Sequence, residues 1–217
     1  MGRESRKQII SDINKQNIIS AAEELFFLKG YEKTTMDDIS QKSEYSKRTV
    51  YAYFKSKEEI YHHLILKGFI MLKHYISDSL SKDETHIDKY LSVCNSMKDF
   101  YINSPKYFDM IIQFQNKPID FDSPSDVILE IYTIGEEINT LIEEFTSDAQ
   151  KNGVVKKNLN PKKISFVFWS CLSGLVAIAN NKSVYIKNAM GETTDEFLSF
   201  GFELLLSSIL EEKYNGK

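Results

Sequence analysis

The sequence predicts an all-α protein: an N-terminal three-helix helix-turn-helix module joined to a larger antiparallel helical bundle, about nine helices in total. Three observations predict it. Apolar residues recur at helical spacing along nearly the whole chain. No segment alternates with the period of two that a strand requires, and capping residues punctuate the pattern at short joints. Short helices cluster before residue 56 and long ones follow, which divides the chain into residues 1–56 and 57–217.

The elements follow in order. Ile18, Ile19, Ala22, Leu25 and Phe26 keep the helical period, and Lys29-Gly30 supplies a basic last turn and a glycine stop. Arg3, Arg6 and Lys7 precede this helix, as an arm for a minor groove or as a frayed basic terminus. Thr35 to Asp38 resembles a capping box that opens a short helix carrying Ile39. A second short helix runs from near Ser46 to near Tyr53, and Ser56-Lys57-Glu58-Glu59 is a capping box for a helix reaching about Leu80. Ile87, Tyr90, Leu91, Cys94, Met97 and Tyr101 form the next stripe. Ser104-Pro105, Ser123-Pro124 and Asn160-Pro161 each join a cap to a proline at the first helical position, and Thr193 to Glu196 opens the last helix.

Composition narrows the function. The net charge of -4 argues against a surface that is basic throughout, yet Lys42–Lys57 holds five basic residues against the single acid Glu44. The N-terminus, MGRESRKQII, is polar, and no apolar run is expected to approach the roughly 20 residues that span a bilayer. A cytoplasmic protein without membrane contact is expected. Gly2 does not begin a myristoylation signal, because Arg6 stands where a hydroxyl residue is needed. Cys94 and Cys171 lie in separate apolar patterns and read as two buried free thiols.

Two short helices around a tight turn give helix-turn-helix geometry, with Lys47, Arg48 and Thr49 on the first turn of the second. Lysine and arginine donate to guanine O6 and N7, and a threonine methyl packs on thymine. Tyr51 and Tyr53 are placed for phosphate oxygens, as are Lys57 and the amides of the following helix. Val50 and Phe54 read as core, and Tyr45 as an anchor of the turn. Periodicity alone fits an ordinary solvated helix as well.

The run LFFLKGYEKTTMDDISQKSEYSKRTVYAYFKSKEEIY, Leu25 to Tyr61, resembles the DNA-binding domain of TetR-type transcriptional regulators. Ala21-Ala22, Leu25-Phe26, Lys29-Gly30-Tyr31, Thr34-Thr35, Asp38-Ile39, Ser46-Lys47, Thr49-Val50-Tyr51, Tyr53-Phe54 and Lys57 carry the likeness. The resemblance implies base contacts from Lys47, Arg48 and Thr49, and phosphate contacts from Thr35, Tyr51, Tyr53 and Lys57. With Ser46 these make the expected DNA-facing set. Glu44 departs from the family, since it stands at the turn glycine and would repel phosphate unless Lys47 or Arg48 pairs with it. Arg48 replaces a residue that is often small.

The resemblance also implies that the larger domain dimerises and binds a small molecule. Gly174, Ala177, Phe197, Gly201, Leu204 and Ser208 are the expected dimer-interface residues, small ones among large ones on the last two helices. Aromatic residues crowd the middle helices: Tyr90, Phe100, Tyr101, Tyr107, Phe108, Phe114 and Phe121. Met97, Tyr101, Phe108, Met110, Phe114 and Trp169 are the expected pocket for an apolar or aromatic effector, and a plain core is the competing reading. His62, His63, His74 and His86 lack zinc spacing, and no phosphate loop or nucleophile motif stands out. No enzyme, metal or cofactor is expected. The expected function is that of a bacterial, homodimeric, ligand-responsive repressor bound to double-stranded operator DNA. The alternatives are an effector-independent regulator or activator, and a helical protein–protein module.

Overall fold

The computed structural model describes residues 3–118 and 124–214 of the 217. The expected contributions of Phe121 and of the Ser123 cap lie outside the described residues. Ten α-helices are described: α1 (Arg3–Lys29), α2 (Met36–Lys42), α3 (Lys47–Tyr53), α4 (Lys57–Leu80), α5 (His86–Asn103), α6 (Pro105–Gln115), α7 (Asp126–Lys151), α8 (Pro161–Asn181), α9 (Ser183–Met190) and α10 (Thr194–Ile209). Among the described residues the only β-type pairing is a single antiparallel bridge between Val155 and Leu210.

The chain forms two compact units, residues 1–68 with 118–131, and residues 69–117 with 132–217. In the first, Ile18, Ala22 and Phe26 of α1 meet a core completed by Ile39, Val50, Phe54, Ile60 and Leu64, all buried. Each of these side chains except the Ala22 methyl contributes about 1.5–3 kcal/mol by leaving water. In the second, Tyr90, Val93, Cys94, Met97 and Phe100 of α5 are buried, as are Leu172 and Val176 of α8 and Leu198, Phe202 and Leu206 of α10. Here α8 packs on α5, α9 and α10.

Most helix starts follow their capping chemistry. Thr35 and Asp38 form a reciprocal capping box on α2, and Thr193 and Glu196 form another on α10. Asn160 caps α8 by accepting from Lys163 N. At α4 the box is only half made: Ser56 Oγ accepts from Glu59 N, while the Glu59 carboxylate takes Lys55 N. Ser104 precedes Pro105 without a side-chain cap bond.

Several expectations are corrected. Arg3, Arg6 and Lys7 belong to α1 and form no arm before it. Cys94 is buried, but Cys171 is exposed, because it falls on the outer side of α8. An apolar run of spanning length does exist: α8, at 21 residues, is long and apolar enough to cross a bilayer by length and composition. Its apolar residues lie on both sides of the helix, with Leu172 and Val176 buried and Phe166, Val167 and Ile178 in solvent. The short helix α9 was not anticipated.

Candidate nucleic-acid interface

The first unit presents α2, a tight turn and α3. Within the turn, Ser43 Oγ donates to Ile39 O at 2.7 Å and Tyr45 N donates to Ser40 O at 3.2 Å. Glu44 takes a left-handed backbone, φ 61°, where the chain reverses between the helices. This is the conformation that a glycine adopts without steric cost.

Ser46 caps α3. Its Oγ accepts from Thr49 N at 3.1 Å and shares a second bond with the Thr49 hydroxyl at 2.8 Å. Helical spacing then sorts the side chains. Val50 and Phe54 are fully buried, while Lys47, Arg48, Tyr51 and Ala52 are exposed and Thr49 is half-buried.

Four hydrogen bonds fix α3 and its neighbours. Asn14 of α1 donates through Nδ2 to the Tyr53 hydroxyl at 3.1 Å and accepts from the Tyr45 hydroxyl at 2.8 Å. Asn17 donates to the same Tyr45 oxygen at 3.3 Å. Lys57 donates to Tyr31 O at 2.7 Å, and its ammonium lies 4.1 Å from the centre of the Tyr31 ring. That bond uses one of three ammonium donors. Tyr53 and Lys57 are therefore tied into the module, whereas Tyr51 projects from it. Thr35 is exposed, and its hydroxyl serves the cap by donating to Asp38 Oδ2 at 2.7 Å.

Ion pairs redistribute the basic run. Lys42 pairs with Glu24 at 2.5 Å and Lys47 with Asp37 at 2.6 Å, while Lys29 pairs with Asp38 at 2.8 Å. The hydrogen bond from Lys29, with those from Thr35, holds the Asp38 carboxyl at about 2. The bond to Asp37 raises the Lys47 ammonium above its ordinary value. Among the described residues no ion pair joins Glu44 to Lys47 or Arg48, and none reaches Arg48. Asn14, Asn17 and Asp37 were absent from the expected set. Asn14 and Asn17 sit in a polar stretch of α1 with no motif, and Asp37 reads as ordinary first-turn acid.

In the second unit, Met97, Phe108 and Met110 are buried, with the Tyr101 and Phe108 rings 5.0 Å apart. Phe114 is half-buried against Phe69, the Trp169 indole donates to Gln115 Oε1 at 2.6 Å, and the Tyr101 hydroxyl donates to Asn181. A cavity of about 30 Å³ lies elsewhere in this unit, among α5, the second half of α7, the start of α8 and the end of α10. Tyr90, Phe145, Phe168 and Leu206 wall it, and His86 at its edge bonds Asp148 through Nε2 at 2.8 Å. Of the aromatic residues singled out from sequence, Tyr90 borders this space.

The expected dimer residues separate by environment. Leu204 and Ser208 are exposed, and Gly174, Ala177 and Phe197 are half-buried. Gly201 is buried in the α8–α10 contact of its own chain, where an added Cβ would stand 2.4 Å from a Leu175 methyl.

Residues 18–64 match the family described as bacterial regulatory proteins, tetR family. The chain is 27% identical over 137 residues to the biofilm operon icaADBC HTH-type negative transcriptional regulator IcaR of Staphylococcus aureus, covering 63% of this chain and 71% of that protein. Among solved structures, a protein of unknown function from Rhodococcus sp. RHA1 superposes with a TM-score of 0.74 at 12% identity, covering 91% of this chain and 96% of the other. The SmeT–triclosan complex superposes with a TM-score of 0.58 at 15% identity, over 92% and 93% of the two chains.

Proposed function

We propose that this chain, whose residues 18–64 match the tetR family of bacterial regulatory proteins, is a homodimeric repressor that holds operator DNA through α3 and leaves it when a small apolar molecule binds. In this reading residues 1–56 read DNA, and residues 57–217 dimerise and bind the effector. The observation that carries it is α3 itself. With Val50 and Phe54 buried, the exposed side offers Lys47, Arg48 and Tyr51, with Thr49 beside them. That is one turn of base-reading donors followed by a phosphate-reaching phenol. The negative regulator among the relatives supports repression as the direction of control.

The effector half rests on the second unit. A cavity of about 30 Å³ holds little more than a water or two, so an effector has to widen it. One wall is the junction of the Ile209–Glu211 segment with the Val154–Lys156 turn, joined by Lys156 N to Ile209 O at 2.9 Å, Glu211 N to Val154 O at 3.0 Å and Lys156 Nζ to Ser208 O at 3.0 Å. Helix α5 supplies His86, Ile87, Tyr90 and Val93 to the cavity, and its Ser92 carbonyl and Ser96 hydroxyl both bond Ser79 of α4. Since α4 continues unbroken to Lys57, displacement of α5 biases the helix that follows the DNA reader. Triclosan bound to SmeT supports an apolar, aromatic effector class.

The test begins with duplexes that the protein selects from a random pool. Retention of one sequence class in a gel shift is expected, with a steep loss of affinity as salt rises. Arg48→Ala is expected to relax the preference at one base pair, a loss of about 1–3 kcal/mol on the selected duplex. An unchanged preference removes Arg48 from the reading set, and no selected duplex at all overturns the DNA-reading half. Failure of a broad panel of apolar compounds to release the duplex overturns only the effector half.

A further inference from the structure

Lys47 stands on the first turn of α3, yet its ammonium is already occupied by Asp37 of α2, 2.6 Å away. Both side chains are largely in water, 59% and 68% exposed. An ion pair so placed contributes little to stability, about 0–1 kcal/mol. Asp37 also plays no part in the α2 cap, which Thr35 and Asp38 complete between them. Asp37 adds first-turn charge to α2 but holds no cap bond, so its pairing with Lys47 can open at small cost to the fold.

We propose that Asp37 is a specificity-determining residue, which withholds Lys47 from the phosphates of non-operator DNA and yields it only to a base edge that offers acceptors. The proposal rests on the reading of α3 as the DNA-facing helix. Non-specific binding counts cations: each lysine or arginine delivered to the backbone releases a counterion. While Lys47 stays with Asp37, that count is lower by one, and the carboxylate adds its own repulsion of phosphate. On the operator, guanine O6 and N7 present two acceptors in fixed positions, which repay the exchange of partners. Rejection of the wrong partner is how specificity is commonly made, since it is a difference of affinities. The neighbouring pairs serve the module differently: Lys42–Glu24 and Lys29–Asp38 join α2 to α1, while Lys47–Asp37 joins α2 to α3, the helix read as facing DNA.

The experiment compares wild type with Asp37→Asn on two duplexes, one selected by the wild-type protein from a random pool and a scrambled version of it. Affinity is measured across a salt series. On the scrambled duplex Asp37→Asn is expected to bind several-fold more tightly and to steepen the log–log salt slope by about 0.9, the value for one added phosphate contact. On the selected duplex the slope is expected to stay unchanged, so the ratio of the two affinities falls. Adding Lys47→Ala to Asp37→Asn is expected to remove the extra slope, which identifies Lys47 as the released cation. Circular dichroism melts check that α2 remains folded. Equal steepening on both duplexes would make Asp37 a general repulsive charge and overturn the proposal, as would unchanged slopes or weaker binding to both by a folded variant. Loss of wild-type retention on any duplex would instead overturn the DNA-reading assignment.

Discussion

Glu44 holds a backbone conformation that its own side chain opposes. At φ 61° an L-residue meets a steric cost of about 1–2 kcal/mol, whereas glycine meets none. Glycine is freer in the unfolded chain, which costs about 0.5–1 kcal/mol in return. Glu44→Gly should therefore stabilise the protein by about 0.5–1 kcal/mol, read as a higher denaturation midpoint in urea at unchanged slope. Glu44→Ala keeps the Cβ and should give no such gain. A glycine variant no more stable than the alanine variant would show that the turn is relaxed around Glu44. The sequence marks this position as unusual through charge, because a glutamate stands where a glycine is common. Its left-handed backbone is not legible from the residue type, since glutamate has no preference for it. Lys57 is legible as a cation in the same limited sense, for only the fold brings the Tyr31 carbonyl and ring beneath it.

At the scale of elements, capping chemistry makes most of the helix order legible in the sequence. Thr35 with Asp38, Asn160 with Pro161, and Thr193 with Glu196 all start helices where their side chains satisfy free amides. Helix α9 escaped because Lys182 precedes it with no side-chain cap, and only Gly191, left-handed at its end, signals a stop. The start of α1 escaped because residues 3–17 are mostly polar and carry little periodicity. The same polar stretch conceals Asn14, whose amide joins the Tyr53 and Tyr45 hydroxyls from two places far along the chain. Long-range polar contacts of this kind leave no periodic trace. Asn14→Ala removes both bonds, and a loss of about 1 kcal/mol in stability is expected, since each bond has water as a competitor. Because Tyr53 ends α3, operator affinity should fall several-fold although Asn14 itself need not touch DNA. Tyr53→Phe should lose only one of the bonds and show a smaller effect in the same melts and gel shifts. If Asn14→Ala matches wild type in both measurements, the orientation of α3 is set by Val50 and Phe54 alone.

The whole molecule has to account for α8, which is apolar on the side that packs and on the side that does not. Leu172 and Val176 are buried within the chain, but Phe166 is 60% exposed and Val167 61%. On α10, Phe200 is 61% exposed and Leu204 58%. Soluble chains seldom leave large apolar patches in water, and an identical copy under twofold symmetry covers such a surface at no cost in new sequence. A membrane is the other apolar partner, but a bilayer-spanning α8 would have to abandon α5, α9 and α10, on which it packs. Gly201 faces inward, where the lack of a side chain lets α10 lie close against Leu175, and Phe200 and Leu204 stay on the outer side. Under the proposed pairing two copies would engage two half-sites, a linkage that multiplies affinity by roughly 10²–10⁴ over a single site. Phe200→Glu combined with Leu204→Lys is therefore expected to sediment as a monomer, to keep its helical circular dichroism, and to lose operator affinity by about 100-fold or more. Cys171, exposed on α8, supplies an internal reporter of the same event. Its thiol should react slowly with a maleimide in the wild-type protein at micromolar concentration and quickly in the double variant. A wild-type protein that sediments as a monomer while retaining full operator affinity, or a Cys171 equally reactive in both, would place the apolar face of α8 outside any dimer.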